Sequence, residues 1–218
     1  MRSPSIRRPL VALVGAGSLS LALAPAASAA SATLRAAVTS LPGATEVRTG
    51  YDRDLFRHWT DGDGDGCDTR REVLLAEATV RPTVGSGCSL SGGRWSSYVD
   101  GATWTDPADL DIDHLVPLAE AWDSGARSWS AGDRERFAND LGDDRSLAAV
   151  TDSVNQAKGD QDPSEWEPPL ASARCRYAAE WVATKLRWRL SVDPAERSAL
   201  SGRAAACPAT TISWTVAR

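Results

Sequence analysis

The clearest alternation of apolar and polar residues lies at positions 109–116, where the sequence reads DLDIDHLV. Alternation of this kind predicts a β-strand, and it places Asp111 and Asp113 on the same face of that strand. Pro117 is expected to end the strand because proline has no N–H to donate to a neighbouring strand. Burying charged groups is costly unless they are paired or hold a metal. This strand is therefore the first candidate for a functional site.

The remaining pattern predicts short helices and strands in alternation. Asp68 is placed to cap one helix, and Gly125 and Gly159 are placed to end two others. We predict helices or helical turns at 31–46, 51–59, 68–78, 118–124, 133–141, 152–158, 170–190 and 194–205. We predict strands at 94–99 and 102–105, and a short strand or turn at 146–151. The predicted fold class is α+β, a small sheet surrounded by helices.

The first 30 residues have the pattern of a secretory signal peptide. An arginine-containing start is followed by an apolar run from Leu10 to Ala24, and the stretch APAASAA offers a cleavage site near Ala29 or Ala30. The apolar run is short for a spanning helix, and no later stretch reaches about 18 apolar residues. A retained membrane anchor is the alternative. We expect a secreted, extracellular protein with no membrane attachment after cleavage.

We expect residues 31–218 to form a single domain, monomeric and stapled by disulfides, with a helical pair at about 170–206. An even number of cysteines in an exported chain favours disulfides over a zinc cluster. The four cysteines are Cys67, Cys88, Cys175 and Cys207. Three pairings are possible, and we favour Cys67–Cys88 and Cys175–Cys207 because each pair lies within one local segment.

The charge balance works against general affinity for nucleic acid. The chain has 24 lysines and arginines against 29 aspartates and glutamates, a formal net charge of −5. Loss of the three arginines of the predicted signal peptide would make it −8. Attraction to the phosphate backbone relies on lysine and arginine. A nucleic acid-binding site in this chain would therefore depend on local basic residues and a metal.

A second polar motif, NQAK, lies in the short helix predicted at 152–158. Its Asn155 and Lys158 are one turn apart and share one face of that helix. The chain has two histidines, His58 and His114, which excludes a zinc site with three histidine ligands. The chemistry available to this motif and to the strand at 109–116 therefore centres on oxygen ligands and one histidine.

Carboxylate and amide oxygens suit a hard ion such as Mg²⁺ or Mn²⁺. We predict that Asp113, Asn155 and Asp111 hold this ion. A neutral His114 beside it can take a proton from water near neutral pH, and Lys158 would supply positive charge for a phosphate. The alternative interpretation is a core histidine paired with Asp111 or Asp113.

The stretches DIDHLVPLAEAWDSGA and SLAAVTDSVNQAKGDQDPSEWEPP together resemble the HNH endonucleases, in particular a secreted bacterial branch related to the C-terminal domain of GmrSD restriction endonucleases. The resemblance covers about residues 50–190. It implies a ββα-metal finger that cleaves phosphodiester bonds of DNA, with RNA left open. His114 matches the family's general base, Asp113 and Asn155 match its metal ligands, and Lys158 matches the basic residue after the second ligand.

The sequence departs from the family at the middle asparagine, which orients the histidine. Ser146 stands in that place, and either its hydroxyl or the side chain of Asn139 is expected to take the role. The resemblance also implies that Arg70 and Arg71, in a DGDGCDTR stretch similar to that of the relatives, contact substrate phosphates. Arg127 is a further candidate for a phosphate contact, with a solvated surface as the alternative.

The segment DGDGDGCDTRRE at 61–72 fits the calcium-loop pattern of acidic residues around a glycine. Its predicted ligands are Asp61, Asp63, Asp65 and Glu72. The eighth position, normally apolar, is Asp68, and Cys67 is expected in a disulfide. Ca²⁺ binding, phosphate contact and a capped structural turn all remain open. The main alternative function follows from this loop: a calcium-stabilised, non-catalytic extracellular binding module that uses exposed tryptophans.

Overall fold

The computed structural model describes residues 29–218, so the predicted signal segment lies outside the described residues except for Ala29 and Ala30. Within this range the protein combines helices with short strands, in agreement with the predicted α+β class. The helices are α1 (Leu34–Ser40), α2 (Thr69–Glu77), α3 (Leu118–Asp123), α4 (Ala131–Ala138), α5 (Asp152–Lys158), α6 (Arg174–Trp188) and α7 (Pro194–Ala206). The strands are β1 (Ala30–Thr33), β2 (Thr83–Val84), β3 (Leu90–Ser91), β4 (Trp95–Ser96), β5 (Thr103–Trp104), β6 (Leu110–His114), β7 (Leu147–Thr151) and β8 (Thr211–Trp214).

The strands form four separate antiparallel pairs, β1–β8, β2–β3, β4–β5 and β6–β7. The expected single small sheet is therefore corrected to four. The segment 79–105 is interrupted by glycines and a disulfide, and its strands are only two residues long. Strands of two residues offer too few backbone groups to build a larger sheet, so each pair stays separate.

Strand β6 has two different faces, as the alternation predicts. Leu110 and Ile112 pack into an apolar cluster with Val73 and Leu74 of α2 and with Trp95. On the opposite face, the aspartates of β6 turn towards helix α5, where they bond to its side chains. β7 is buried along its whole length and pairs with β6 from Leu110↔Thr151 to His114↔Leu147.

The larger core lies between α1, α3, α4, α6 and α7. Both predicted disulfides are present. Cys67–Cys88 ties the residues before α2 to those before β3, and Cys175–Cys207 joins the first turn of α6 to the end of α7. The predicted helical pair therefore occupies Arg174–Ala206, with its two ends stapled together.

Local signals placed several element ends correctly. The side chain of Asp68 accepts a hydrogen bond from Arg71 N at the start of α2, and α5 stops at Gly159, whose φ of 54° suits glycine. The predicted helical stretch at 51–59 shortens to a 3₁₀ turn at Arg53–Leu55. The β1–β8 pair was missed, because its strands come from opposite ends of the described chain and leave no local pattern.

Candidate active site

The predicted site residues lie where β6, β7 and α5 meet. β7 runs directly into α5 without a connecting loop. The buried strand ends at Thr151, and the helix begins at the next residue, Asp152. The pairing of β7 with β6 therefore sets α5 against the aspartate face of β6. This arrangement brings two motifs that are far apart in the sequence into contact.

His114 ends β6 with 6% of its surface exposed. Its Nε2 lies 2.9 Å from the carbonyl oxygen of Ala138, at the end of α4. Because a carbonyl oxygen only accepts hydrogen bonds, Nε2 carries the proton and Nδ1 keeps a free lone pair. Burial lowers the pKa of His114 to about 3, so the ring is neutral at physiological pH. The ring is thus held in the tautomer and charge state that a base requires.

Trp59 packs on the His114 ring, with ring centroids 5.2 Å apart and an angle of 28° between the planes. His58 contacts the same ring edge-on at 6.2 Å. Trp59 has a φ of 56°, a backbone conformation that is rare outside glycine and often found at functional sites. Trp59 was not among the predicted site residues, and its place just before the acidic loop is the one local signal for it.

Asp113 and Lys158 form a buried ion pair across β6 and α5. The Nζ atom of Lys158 lies 2.7 Å from each carboxylate oxygen of Asp113, and it also donates to the carbonyl oxygens of His114 and Leu115. Burial lowers the pKa of Lys158 and raises that of Asp113, and the attraction between the two charges opposes both shifts. Lys158 is 1% exposed. Its predicted role as a charge for the substrate phosphate is corrected, because all of its donors are used inside the protein.

Asn155 lies beside Asp111 on the same face. Its Nδ2 donates to Asp111 Oδ2 at 3.2 Å, which leaves its carbonyl oxygen Oδ1 available for another ligand. Burial raises the pKa of Asp111. Asp111 does not line the pocket that Asp113 and Asn155 share, and its hydrogen bond orients the Asn155 amide. Its place among the metal ligands stays a prediction.

A pocket of about 180 Å³ unites Asp113, His114 and Asn155. The proximity predicted from the two motifs is therefore present in the fold. Three polar residues that the sequence analysis did not single out also line this pocket: Arg53, Gln156 and Asp160. Arg53 is exposed at the pocket and is the basic residue placed to meet an anion there.

Neither candidate for the middle asparagine has a side-chain hydrogen bond to His114. Ser146 donates its hydroxyl to Asp140 Oδ2 at 2.9 Å, so its predicted catalytic role is corrected. Asn139 accepts from Thr60 N and Thr69 Oγ1 and donates to the carbonyls of Arg57 and Glu135. It thereby anchors the end of α4. The histidine is oriented by a backbone carbonyl next to Asn139, which no side-chain motif reveals.

The three arginines predicted to bind substrate have other partners. Arg70 donates to the carbonyls of Pro107 and Leu110, Arg71 pairs with Asp68, and Arg127 donates to the carbonyl of Asp123. None of them lines the pocket of His114. Their contact with phosphate remains a prediction, to be tested separately from the pocket.

The acidic loop brings three of its four predicted ligands together. One carboxylate oxygen from each of Asp61, Asp63 and Asp65 lies within 4.8 Å of the others. Glu72 instead groups with Asp65 and Cys67. Burial, followed by the charges of the three aspartates, raises the pKa of Glu72. The loop is exposed, and its carboxylates already accept hydrogen bonds from backbone N–H groups within it.

The tryptophans belong to the packing of the protein. None of the nine is exposed. Trp122 and Trp129, which follow the strand of His114 in the sequence, are 7% and 6% exposed and lie in the larger core. The exposed tryptophans expected for a binding module are therefore not present, because large aromatic rings gain most by burial.

Residues 70–202 match the family described as GmrSD restriction endonucleases, C-terminal domain. This match covers more than half of the chain, and the chain belongs to that family. A protein of Arthroderma benhamiae named "Uncharacterized secreted protein" is 50% identical over 158 residues, which are 72% of this chain and 76% of the relative. No solved structure matches the chain.

The name of this relative agrees with the export predicted from the N-terminal pattern, and the protein is secreted. Among residues 29–218, no helix has both the length and the apolar character needed to cross a bilayer. Ala30, at the predicted cleavage site, pairs with Trp214 in the β1–β8 sheet. The cleavage site itself remains a prediction.

Proposed function

We propose that this protein is a secreted, metal-dependent HNH endonuclease that hydrolyses phosphodiester bonds with little sequence selectivity. The observation that carries the proposal is the shared pocket of His114, Asp113 and Asn155, in a chain of a restriction endonuclease family. The order β6, β7 and α5 supports a ββα finger, with two antiparallel strands followed directly by a helix.

The donor set of the pocket fits a hydrated hard cation. Asp113 offers carboxylate oxygens with lone pairs beyond those used by Lys158, and Asn155 offers its carbonyl oxygen. Mg²⁺ retains several waters and commonly takes only one or two protein carboxylates or amides, so two ligands are sufficient. Mn²⁺ prefers the same oxygen donors. Asp113 and Asn155 would hold this ion, and Asp111 would keep the Asn155 amide turned towards it.

The reaction assigned to this pocket is attack of water on phosphorus. His114 Nδ1 accepts a proton from the attacking water. The oxygen of that water forms a bond to phosphorus, and the P–O ester bond to the leaving oxygen breaks. The bound cation would stabilise negative charge on the phosphate and on the leaving oxygen. Ala138 holds the Nε2–H of the ring, and Trp59 keeps the ring plane fixed. Arg53 would bind the non-bridging phosphate oxygens at the pocket rim.

The substrate is proposed to be DNA, with RNA as a further substrate. Arg70 and Arg71 make contacts within the protein, and we identify no base-reading element among residues 29–218, which is why we expect little sequence selectivity. The formal charge of −5, or −8 after loss of the predicted signal peptide, predicts weak general attraction to nucleic acid. We further propose that the protein acts as a monomer.

A plasmid-nicking assay with Mg²⁺ or Mn²⁺ tests this function. Wild type is expected to nick, whereas His114→Ala and Asp113→Asn are expected to be inactive. The exposed Asp144→Asn is the matched carboxylate control and should nick like wild type. Thermal unfolding of each variant checks the fold. Absence of nicking by folded wild type with either ion would remove the proposal.

Calcium binding by the loop at 61–72 stays a separate proposal, supported by the convergence of Asp61, Asp63 and Asp65. Asp61→Asn with Asp63→Asn and Asp65→Asn is expected to abolish it, as read by calorimetric titration with Ca²⁺. The rival function, a non-catalytic binding module, has less support because its expected exposed tryptophans are buried or half-buried.

A further inference from the structure

Six carboxylates gather around Glu46, and none of them lines the pocket of His114. They form two groups that share Glu46, and within each group one oxygen per residue lies within 4.8 Å of the others. The first group is Glu46, Glu120 and Asp123, and the second is Glu46, Asp162, Asp193 and Glu196. Glu120 and Asp123 lie on α3, and Glu46 lies in the loop at 42–49.

Two cations compensate part of this negative charge. Lys185, with no exposed surface, donates to Glu120 Oε1 at 2.7 Å and to Glu196 Oε2 at 2.6 Å. Arg48, whose side chain is half exposed, donates to Asp123 Oδ2 at 2.7 Å. Two positive groups against six carboxylates leave an excess of negative charge in a largely buried place.

Two buried oxygens of the first group have no hydrogen-bond donor among the described residues. Asp123 is 3% exposed, and its Oδ1 is buried without a partner. Glu46 Oε1 is likewise buried without a partner. A buried carboxylate oxygen left without a donor is costly, because it has lost its water and gained nothing in exchange. In the second group, by contrast, Asp162, Asp193 and Glu196 all accept hydrogen bonds.

We propose that Glu46, Glu120 and Asp123 bind one Ca²⁺ ion, which ties the loop at 42–49 to helix α3. Oxygens within 4.8 Å of one another can share an ion at the 2.3–2.6 Å distances typical of calcium. The group contains no sulfur or nitrogen ligand, which disfavours zinc. Its irregular, all-oxygen geometry suits Ca²⁺ better than the strict octahedron of Mg²⁺. A secreted protein also meets calcium outside the cell.

Protonation is the competing way to neutralise this cluster. Burial, followed by the charges of Glu120, Asp193, Asp162 and Asp123, raises the pKa of Glu46 to about 7. A proton on Glu46 would remove one charge and give its carboxyl group a donor. It would leave Asp123 Oδ1 without a partner unless that proton reached it, whereas a cation contacts all three carboxylates at once. The two possibilities differ in their response to Glu46→Gln.

Calcium titration of the full mature chain tests the site. The background is the Asp61→Asn, Asp63→Asn, Asp65→Asn variant, which removes the exposed acidic loop from the measurement. We expect this background to bind one Ca²⁺ with a Kd of about 0.1–1 mM, the range of extracellular modules. Terbium, used as a calcium analogue, should luminesce on excitation of Trp122, which adjoins Asp123 in the sequence.

Glu46→Gln and Asp123→Asn, each added to this background, are expected to weaken Ca²⁺ binding at least tenfold. Glu165→Gln, which removes an exposed carboxylate, is the matched control and should bind as the background does. Glu46→Gln keeps the fold testable, since Glu46 accepts no hydrogen bond at Oε1. No binding by the background, or binding by Glu46→Gln and Asp123→Asn that is unchanged from the background, would each overturn the proposal. None of these readouts depends on nuclease activity.

Discussion

Lys158 and Lys185 are both completely buried, and the difference between their surroundings separates the two halves of this molecule. Lys158 meets one carboxylate, Asp113, and two backbone carbonyls beside an open pocket. Lys185 meets two carboxylates, Glu120 and Glu196, together with Ser124 Oγ and the Ser191 carbonyl. The first arrangement is balanced in charge and the second is negative.

The pKa directions of the two lysines follow from this difference. Burial lowers the pKa of Lys158, and a single carboxylate does not reverse that shift. Burial also opposes the charge of Lys185, but two carboxylates raise its pKa above the ordinary value. Equal burial of the same residue type therefore serves different purposes. Lys158 positions a carboxylate at the pocket where chemistry is proposed, and Lys185 holds α3, α6 and α7 together.

The largest expected effect is on the pocket side. His114→Ala should lower nicking by about 10²- to 10⁴-fold, the usual contribution of a general base. The free energy of unfolding should fall by about 1–3 kcal/mol, because the buried ring leaves a cavity and the Ala138 carbonyl loses its donor. Comparison of nicking rates with urea unfolding curves measures both. A loss of activity that merely follows a loss of folded protein would show that His114 is a packing residue.

Lys185→Met should destabilise the protein by about 3–5 kcal/mol, because it leaves Glu120 and Glu196 buried without their cation. Chemical denaturation measures the change. Adding Glu120→Gln and Glu196→Gln to the same chain should recover most of the loss, since the stranded charges are then removed. If the single variant unfolds at the same denaturant concentration as wild type, the central role of Lys185 is wrong.

Lys158→Met is expected to cost less, about 3 kcal/mol, because water in the pocket can reach the freed Asp113. Mg²⁺ should restore part of the lost stability, because both carboxylate oxygens of Asp113 are then free to bind the ion. Thermal unfolding with and without Mg²⁺ gives the comparison. Asn155→Ala in the same chain should abolish the recovery; a recovery that persists without Asn155 would place the ion elsewhere.

Glu77 gives the smallest effect, as a buried carboxylate without a lysine. Burial raises its pKa to about 7 in the folded protein, against 4.5 when unfolded. The folded state therefore binds the extra proton between these values, and stability should fall as the pH rises from about 5 to 7. Glu77→Gln should flatten this fall and stabilise the protein at pH 8 by about 1–2 kcal/mol. Unfolding curves at pH 5 and pH 8 test it, with the exposed Glu165→Gln as the control that should keep the wild-type slope.

The two motifs of the pocket could be predicted because periodicity encodes faces. Alternation along β6 placed Asp111 and Asp113 together, and the spacing of Asn155 and Lys158 placed both on one side of α5. The disulfide pairs were predicted for a similar reason, since each joins neighbouring segments. Capping residues such as Asp68 act within one turn and leave a local signature.

The partners of these residues could not be predicted in the same way. Lys158 was expected to face a phosphate and instead faces Asp113, and Ser146 was expected to face His114 and instead faces Asp140. The side of a strand or helix on which a side chain lies is fixed by local periodicity. The residue that it contacts depends on which distant element packs against that side. A backbone carbonyl such as that of Ala138 carries no residue type to recognise.

The sequence by itself determined the export pattern and the faces of β6 and α5, favoured the two disulfide pairs among three possible pairings, and indicated candidate ligands for a hard cation. The tertiary structure decided that Nδ1 of His114 is the free nitrogen, that Arg53 reaches the pocket, and that Glu46 meets Glu120 and Asp123. The physical reason is the distance along the chain over which each kind of interaction acts. Periodicity, caps and short loops act over a few residues, whereas contacts between groups of like charge exist only after the whole chain has packed.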